Sequence, residues 1–250
     1  MRQEDDGLIF AGVVYARNRR IAGSTFRDIG NTTSLQIKSS TDKKERVSKR
    51  KGSYGQALDS ISQKKPAEVS FKLDTFDRDN LAMVLMGEAV VLEASAQKVT
   101  DENVTITKKG EWYQLSRDNI DPTTIKVKNA SSSSVAETDV EYNANLGLIA
   151  IKPSCANVQD GEIVKVTFST RNGGGFRIDA DTVGDFDLEI MIDAENRVSG
   201  KNGKLHIPSA VVSSESDLDW LKDDFNEAGF KGNAVLVAGH KSAYSFSEFN

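Results

Sequence analysis

Four stretches of this chain alternate apolar and polar side chains with a period of two, and a fifth is a strand-like apolar run. Residues 33–38 set Leu35 and Ile37 against Ser34, Gln36 and Lys38, and residues 67–75 set Val69, Phe71 and Leu73 against Glu68, Ser70, Lys72 and Asp74. Residues 163–169 place Val164, Val166 and Phe168 opposite Lys165, Thr167 and Ser169. Residues 185–193 place Phe186, Leu188, Ile190 and Ile192 opposite Asp185, Asp187, Glu189, Met191 and Asp193. The run 8–16 (LIFAGVVYA) is apolar and β-branched. Successive side chains of a strand point to opposite faces, so this pattern specifies strands with one face on a core and one in water. Half-buried strands belong to antiparallel sheets, and the expected fold class is mainly β.

Two stretches read as helices instead. In residues 76–88, Leu81, Val84 and Leu85 fall at helical spacing, with Asp77 or Asp79 as the cap and Gly87 as the stop. Residues 215–230 space Leu218, Leu221 and Phe225 by three and four behind an acidic front end. Residues 139–151 read as a hairpin turning at Asn145 to Gly147. The Ser-rich stretch 128–140 reads as a surface loop and residues 171–175 (RNGGG) as a turn.

Charge is unevenly placed. Residues 38–65 hold nine Lys/Arg against three Asp/Glu, a net +6, in a chain of net −5, so the rest sums to −11. Three readings fit this stretch: a solvated loop, a phosphate-binding surface, or an arm that meets another copy of the anionic body. Counterion release by clustered cations favours nucleic acid, but Tyr54 is the one aromatic there and stacking platforms are missing. Opposite patches steer and register association, which favours self-complementarity.

Signals for chemistry are sparse. Gly173-Gly174-Gly175 lacks the Lys-Ser/Thr of a phosphate loop. His206 and His240 are the two histidines and no triad motif surrounds them. Cys155 lies in a Pro-Ser-Cys-Ala-Asn turn and reads as an inert thiol. The carboxylates Asp185, Asp187, Glu189 and Asp193 admit paired-acid glycoside hydrolysis, Ca²⁺ binding, a charged surface or a plain solvated face. No catalytic residue, cofactor or metal is expected. At 250 residues the chain suffices for one large domain or two small ones. Its first six residues, acidic and lacking the apolar core of a signal peptide, point to synthesis in the cytoplasm.

The order of these elements resembles the tail tube (major tail) proteins of long-tailed bacteriophages. The cues are the opening strand with Gly12 to Tyr15, the turn Asp28-Ile29-Gly30-Asn31 leading into Leu35-Gln36-Ile37, and the long polar loop with Glu45-Arg46. The strand through Val69, Phe71 and Leu73 and the helix with Leu81 and Leu85 ending at Gly87 follow. Residues 99–106 and 120–128 look like paired strands of that family. Val140, Tyr142, Gly147 and Ile149 fit its hairpin, and Asp224-Phe225, Gly232 and Val235 to Val237, within residues 220–237, fit its last segment.

The resemblance implies a single tail-tube-like domain over 1–250, with two packed antiparallel sheets in a sandwich or barrel-like arrangement and one flanking short helix. It implies a structural virion protein of the tail, not an enzyme, that forms hexameric rings stacked into a hollow tube. Its partners would be copies of itself, the tape measure, tail tip and terminator proteins, and DNA as transient cargo. Residues 38–65 take the place of the family's loop to the next ring, so Lys43, Lys44, Arg46, Lys49, Arg50, Lys51 and Tyr54 are the expected inter-ring contacts. The acidic segment 215–227 is a candidate partner for them. A DNA channel is expected to repel phosphate, and the face with Asp185, Asp187, Glu189 and Asp193 is the expected lumen lining, ahead of the Glu68–Asp74 face, because it lacks a compensating Lys. The segment 129–138 would be an outside loop or insertion. Two alternatives remain: the inner tube of a contractile injection system that carries no DNA, favoured by a lumen that is not acidic, and a β-sandwich module for carbohydrate or a host surface, which requires exposed aromatics converging on one cleft.

Overall fold

The computed structural model describes residues 7–249. The acidic start, residues 1–6, lies outside the described residues. The fold is mainly β, with antiparallel sheets and one α-helix, as the alternation predicts. The chain separates into two compact units. One comprises the chain up to Val90 and from Ile178 onward, and the other comprises Val91–Arg177.

The first unit contains β1 (Phe10–Asn18), β2 (Arg27–Asp28), β3 (Thr32–Lys38), β4 (Thr41–Val47), β5 (Ala57–Lys64), β6 (Glu68–Leu73) and α1 (Arg78–Val84), and β7 (Glu88–Val91) runs from it into the second. The second contains β8 (Lys98–Ile106), β9 (Tyr113–Gln114), β10 (Lys126–Lys128), β11 (Val140–Asn143), β12 (Leu148–Ile151) and β13 (Glu162–Ser169). The chain closes with β14 (Phe176–Asp179), which pairs with β7, then β15 (Phe186–Asn196), β16 (Asn202–Ser214), β17 (Ala228–Ala234) and β18 (Ser245–Phe249).

The first unit is built on an eight-stranded sheet in the order β2-β1-β15-β16-β17-β6-β3, with β18 also paired to β16. Its apolar face carries Val14, Val69, Phe71, Leu188, Ile190, Ile207, Val212 and Phe230, and Met83 and Val84 of α1 join the same cluster. Phe71 and Phe230 are register partners on neighbouring strands and stack with ring centroids 4.9 Å apart. Gly232 faces Val212, and any Cβ there would run into the carbonyl oxygen of Val211. The bulge between β15 and β16 falls where Pro208 interrupts the ladder, which is where a sheet tolerates proline.

Helix α1 forms where predicted. The Asp77 side chain accepts the Asn80 N–H at 2.7 Å and caps its start. Its end differs in detail. Met86, not a glycine, takes the left-handed conformation (φ 50°), with Met86 N–H donating to Met83 O and Gly87 N–H to Ala82 O. Gly87 is needed for another reason, since a Cβ there would meet the Asp179 carbonyl. Asn80 is buried and fully used: its amide donates to Ile29 O and Thr75 O at 2.9 Å, and its oxygen accepts from Arg27. It ties the helix to the Asp28–Asn31 turn.

The second unit is a small sandwich. The sheets β10-β13-β8 and β11-β12-β9 share a core of Val104, Ile106, Val127, Ile149, Ile151, Val164, Val166 and Phe168. The stretches 99–106 and 120–128 do not pair with each other: β8 and β10 flank β13 on either side. The hairpin of β11 and β12 forms as predicted. Cys155 is buried in this core.

The second predicted helix is absent. Residues 215–227 have no regular structure and Ala228–Ala234 is strand β17. The Asp219 side chain accepts the Leu221 N–H at 3.0 Å, and Asn226 donates to Asp219 O at 3.1 Å. Such local bonds compete with a helical ladder. Among the described residues no helix is long and apolar enough to cross a membrane.

Candidate functional site

The basic stretch is not a loop but a ribbon. Strands β4 and β5 pair from Thr41↔Lys64 to Val47↔Ala57, and every residue of both is exposed. The cationic run disguises this, because a strand with water on both faces has no apolar alternation to betray it. The ribbon's three acids are already engaged: Arg46 holds Asp59 at 2.6 Å, Lys43 pairs with Glu45, and Lys65 reaches Asp42 at 3.8 Å. Lys44, Arg50 and Lys51 make no ion pair among the described residues.

The tip of the ribbon is built rather than slack. Ser48 is 1% exposed. Its hydroxyl meets that of Ser53 at 2.7 Å and accepts the Arg50 N–H at 3.2 Å. Around it, Ser48 N–H donates to Gln56 O and Gly55 N–H to Ser48 O. The Lys49 ammonium lies 5.3 Å from the centre of the Tyr54 ring. The structure therefore brings Lys49, Arg50, Lys51 and Tyr54 together at one end, with Lys43, Lys44 and Arg46 along the stem.

The acidic face is corrected by its neighbours. Glu189 lies directly across from Arg17 of β1 and pairs with it at 2.6 Å. Its other oxygen meets His206 Nε2 at 2.8 Å. Asp187 binds Arg19 at 2.9 Å and accepts from Ser209 at 2.7 Å. Asp185 pairs with Arg20. Only Asp193 of the four has no ion pair among the described residues. The missing lysine is thus replaced by Arg17 of β1 and by Arg19 and Arg20 just beyond its end, and the face is charge-paired rather than bare. Burial pushes the Glu189 carboxyl up, but hydrogen bonds from His206 and Arg17 outweigh it and hold the group below the ordinary glutamate value. The Glu68–Asp74 face is paired too, through Glu68 with Lys231 and Lys72 with Glu227.

Two juxtapositions have no local sequence signal. His206 and His240 meet edge to face with ring centroids 6.1 Å apart. In the second unit, Trp112, Tyr142, Asn143, Asn145, Leu148 and Arg171 line one shallow cleft of about 560 Å³. Arg171 donates to the Asn145 side chain at 3.0 Å within it. Among the described residues, no group of three or more His, Cys, Asp or Glu stands ready to hold a metal ion.

Residues 8–250 match the model of a family described as "Protein of unknown function UCP028589". The chain belongs to that family. A search of curated proteins found no match. The match of the UCP028589 family runs through both units, so the sandwich Val91–Arg177 lies within the matched span.

Proposed function

We propose that this chain is the structural subunit of a self-assembling hollow tube, a tail tube protein of a virion, in which rings stack through the basic ribbon. The observation that carries the reading is the ribbon itself. A two-stranded hairpin alone is marginal in water. This one has both faces exposed and projects five cations that the ribbon's own acids leave unpaired: Lys44, Lys49, Arg50, Lys51 and Lys64. Edge strands β2, β3 and β18 of the large sheet add open ladders of the kind that closure with neighbouring copies satisfies. Hexameric rings, the virion tail as location, and DNA as passing cargo rest on the resemblance to tail tube proteins.

The charge-paired sheet face bears on the cargo. A wall in which Arg17, Arg19 and Arg20 neutralise Glu189, Asp187 and Asp185 neither grips nor strongly repels phosphate. It therefore weakens the case for an acidic lumen on that face. Sedimentation of the purified chain tests assembly: the wild type should form large species, and Lys49→Glu/Arg50→Glu/Lys51→Glu should remain small with an unchanged melt. Equal assembly of the two would refute the ribbon's role.

A second reading concerns the sandwich unit alone. Trp112 and Tyr142, both exposed, share a cleft with two asparagines and an arginine. Aromatic faces flanked by planar hydrogen-bonding groups suit a sugar ring. Titration with an oligosaccharide panel should quench tryptophan fluorescence, and Trp112→Ala should remove the response. Quenching that survives the substitution would refute the cleft as its origin.

A further inference from the structure

We infer that the segment 215–227 is the seat on which the basic ribbon of a second copy of this chain docks. The inference rests on the tube reading and names the partner surface which that reading leaves open.

The segment is anchored at one point. Leu218 packs against the core of the first unit. Beyond it, Trp220 is 71% exposed, and Leu221 and Phe225 are each 92% exposed. Three large apolar side chains held almost entirely in water within six residues form a patch of the kind that marks an interaction site. Their own copy does not cover them, although the ribbon belongs to the same unit.

Charge selects the occupant. The segment carries six Asp/Glu against Lys222, a net −5. Lys231 and Lys72 engage Glu215 and Glu227 at its two ends, and Lys222 lies 4.0 Å from Asp224. Asp217, Asp219 and Asp223 make no ion pair among the described residues. A surface of this sign repels nucleic acid and attracts a cationic partner. The ribbon offers a net +6 over residues 38–65 together with exposed apolar groups, Tyr54, Leu58 and Ile61. Each surface thus supplies what the other lacks: unpaired charge of opposite sign, and apolar area to cover apolar area. Strands of seven and eight residues make the ribbon roughly 24 Å long.

The test uses the full chain, with sedimentation across concentration and salt. Wild type should assemble, and assembly should weaken as salt rises. Asp219→Lys/Asp223→Lys/Asp224→Lys should raise the critical concentration at least tenfold, as should the tip reversal Lys49→Glu/Arg50→Glu/Lys51→Glu. A chain with both reversals should recover assembly, and so should an equimolar mixture of the two singly reversed chains. Leu221→Ser/Phe225→Ser should lose assembly with an unchanged melt, since neither side chain is buried. If the tip reversal blocks assembly but the segment reversal does not, or if neither the double variant nor the mixture recovers, the seat is wrong while the tube reading stands. A wild-type chain that stays monomeric overturns both.

Discussion

Replacing Ser48 by alanine isolates the shape of the ribbon tip from its charge. The substitution keeps every cation and removes two hydrogen bonds, to the Ser53 hydroxyl at 2.7 Å and from the Arg50 N–H at 3.2 Å. Each is worth about 1 kcal/mol net. Water reaches the exposed residues around the tip and recovers part of this, so the closed tip loses about 1–2 kcal/mol relative to open forms. A partner that binds the closed form must then restore it, and affinity falls by the same amount. At 1.4 kcal/mol per factor of ten, the critical concentration for assembly should rise about 5- to 30-fold. The core should not respond, because no ribbon residue belongs to either hydrophobic cluster. The melting temperature should stay within about 2 °C. Sedimentation gives the first quantity and circular dichroism the second. Assembly within twofold of wild type would refute the argument that a built tip matters, and a melt lowered by several degrees would show that Ser48 supports the fold instead.

Two further predictions concern the sheet. Phe230→Ala removes a ring that is 2% exposed and stacked on Phe71; a loss of about 3–5 kcal/mol in urea unfolding is expected, and a loss below about 1 kcal/mol would contradict the packing described. Glu189 has its carboxyl held below the ordinary value in the folded chain. Its contribution is therefore fully present above the unfolded glutamate pKa of about 4.3 and is lost as pH falls through the lower folded value. Wild type should exceed Glu189→Gln in stability at pH 7, and the gap should close on acidification below about pH 4; a gap that widens there would refute the assignment.

What the sequence discloses depends on whether a strand has one dry face. Glu162–Ser169 and Phe186–Asn196 do, and their alternation places them correctly. Thr41–Val47 has none, so its strand character is invisible and a loop is read in its place. The spacing of Leu218, Leu221 and Phe225 imitates a helix stripe, yet only Leu218 is packed against the core, and the apolar period signals outward projection instead. The acidic face fails differently. Asp187 and Glu189 are read correctly as one face of a strand, but their partners Arg19 and Arg17 lie 168 and 172 residues away. Pairing register between distant strands is not written in local pattern, and neither is the meeting of Trp112 with Tyr142 or the division into two cores.

Electron microscopy of the purified wild-type chain tests the central claim most directly. At concentrations well above the assembly threshold and at low salt, closed rings with a central hole and stacks of such rings are expected. A field of single particles of monomer size under the same conditions would contradict it.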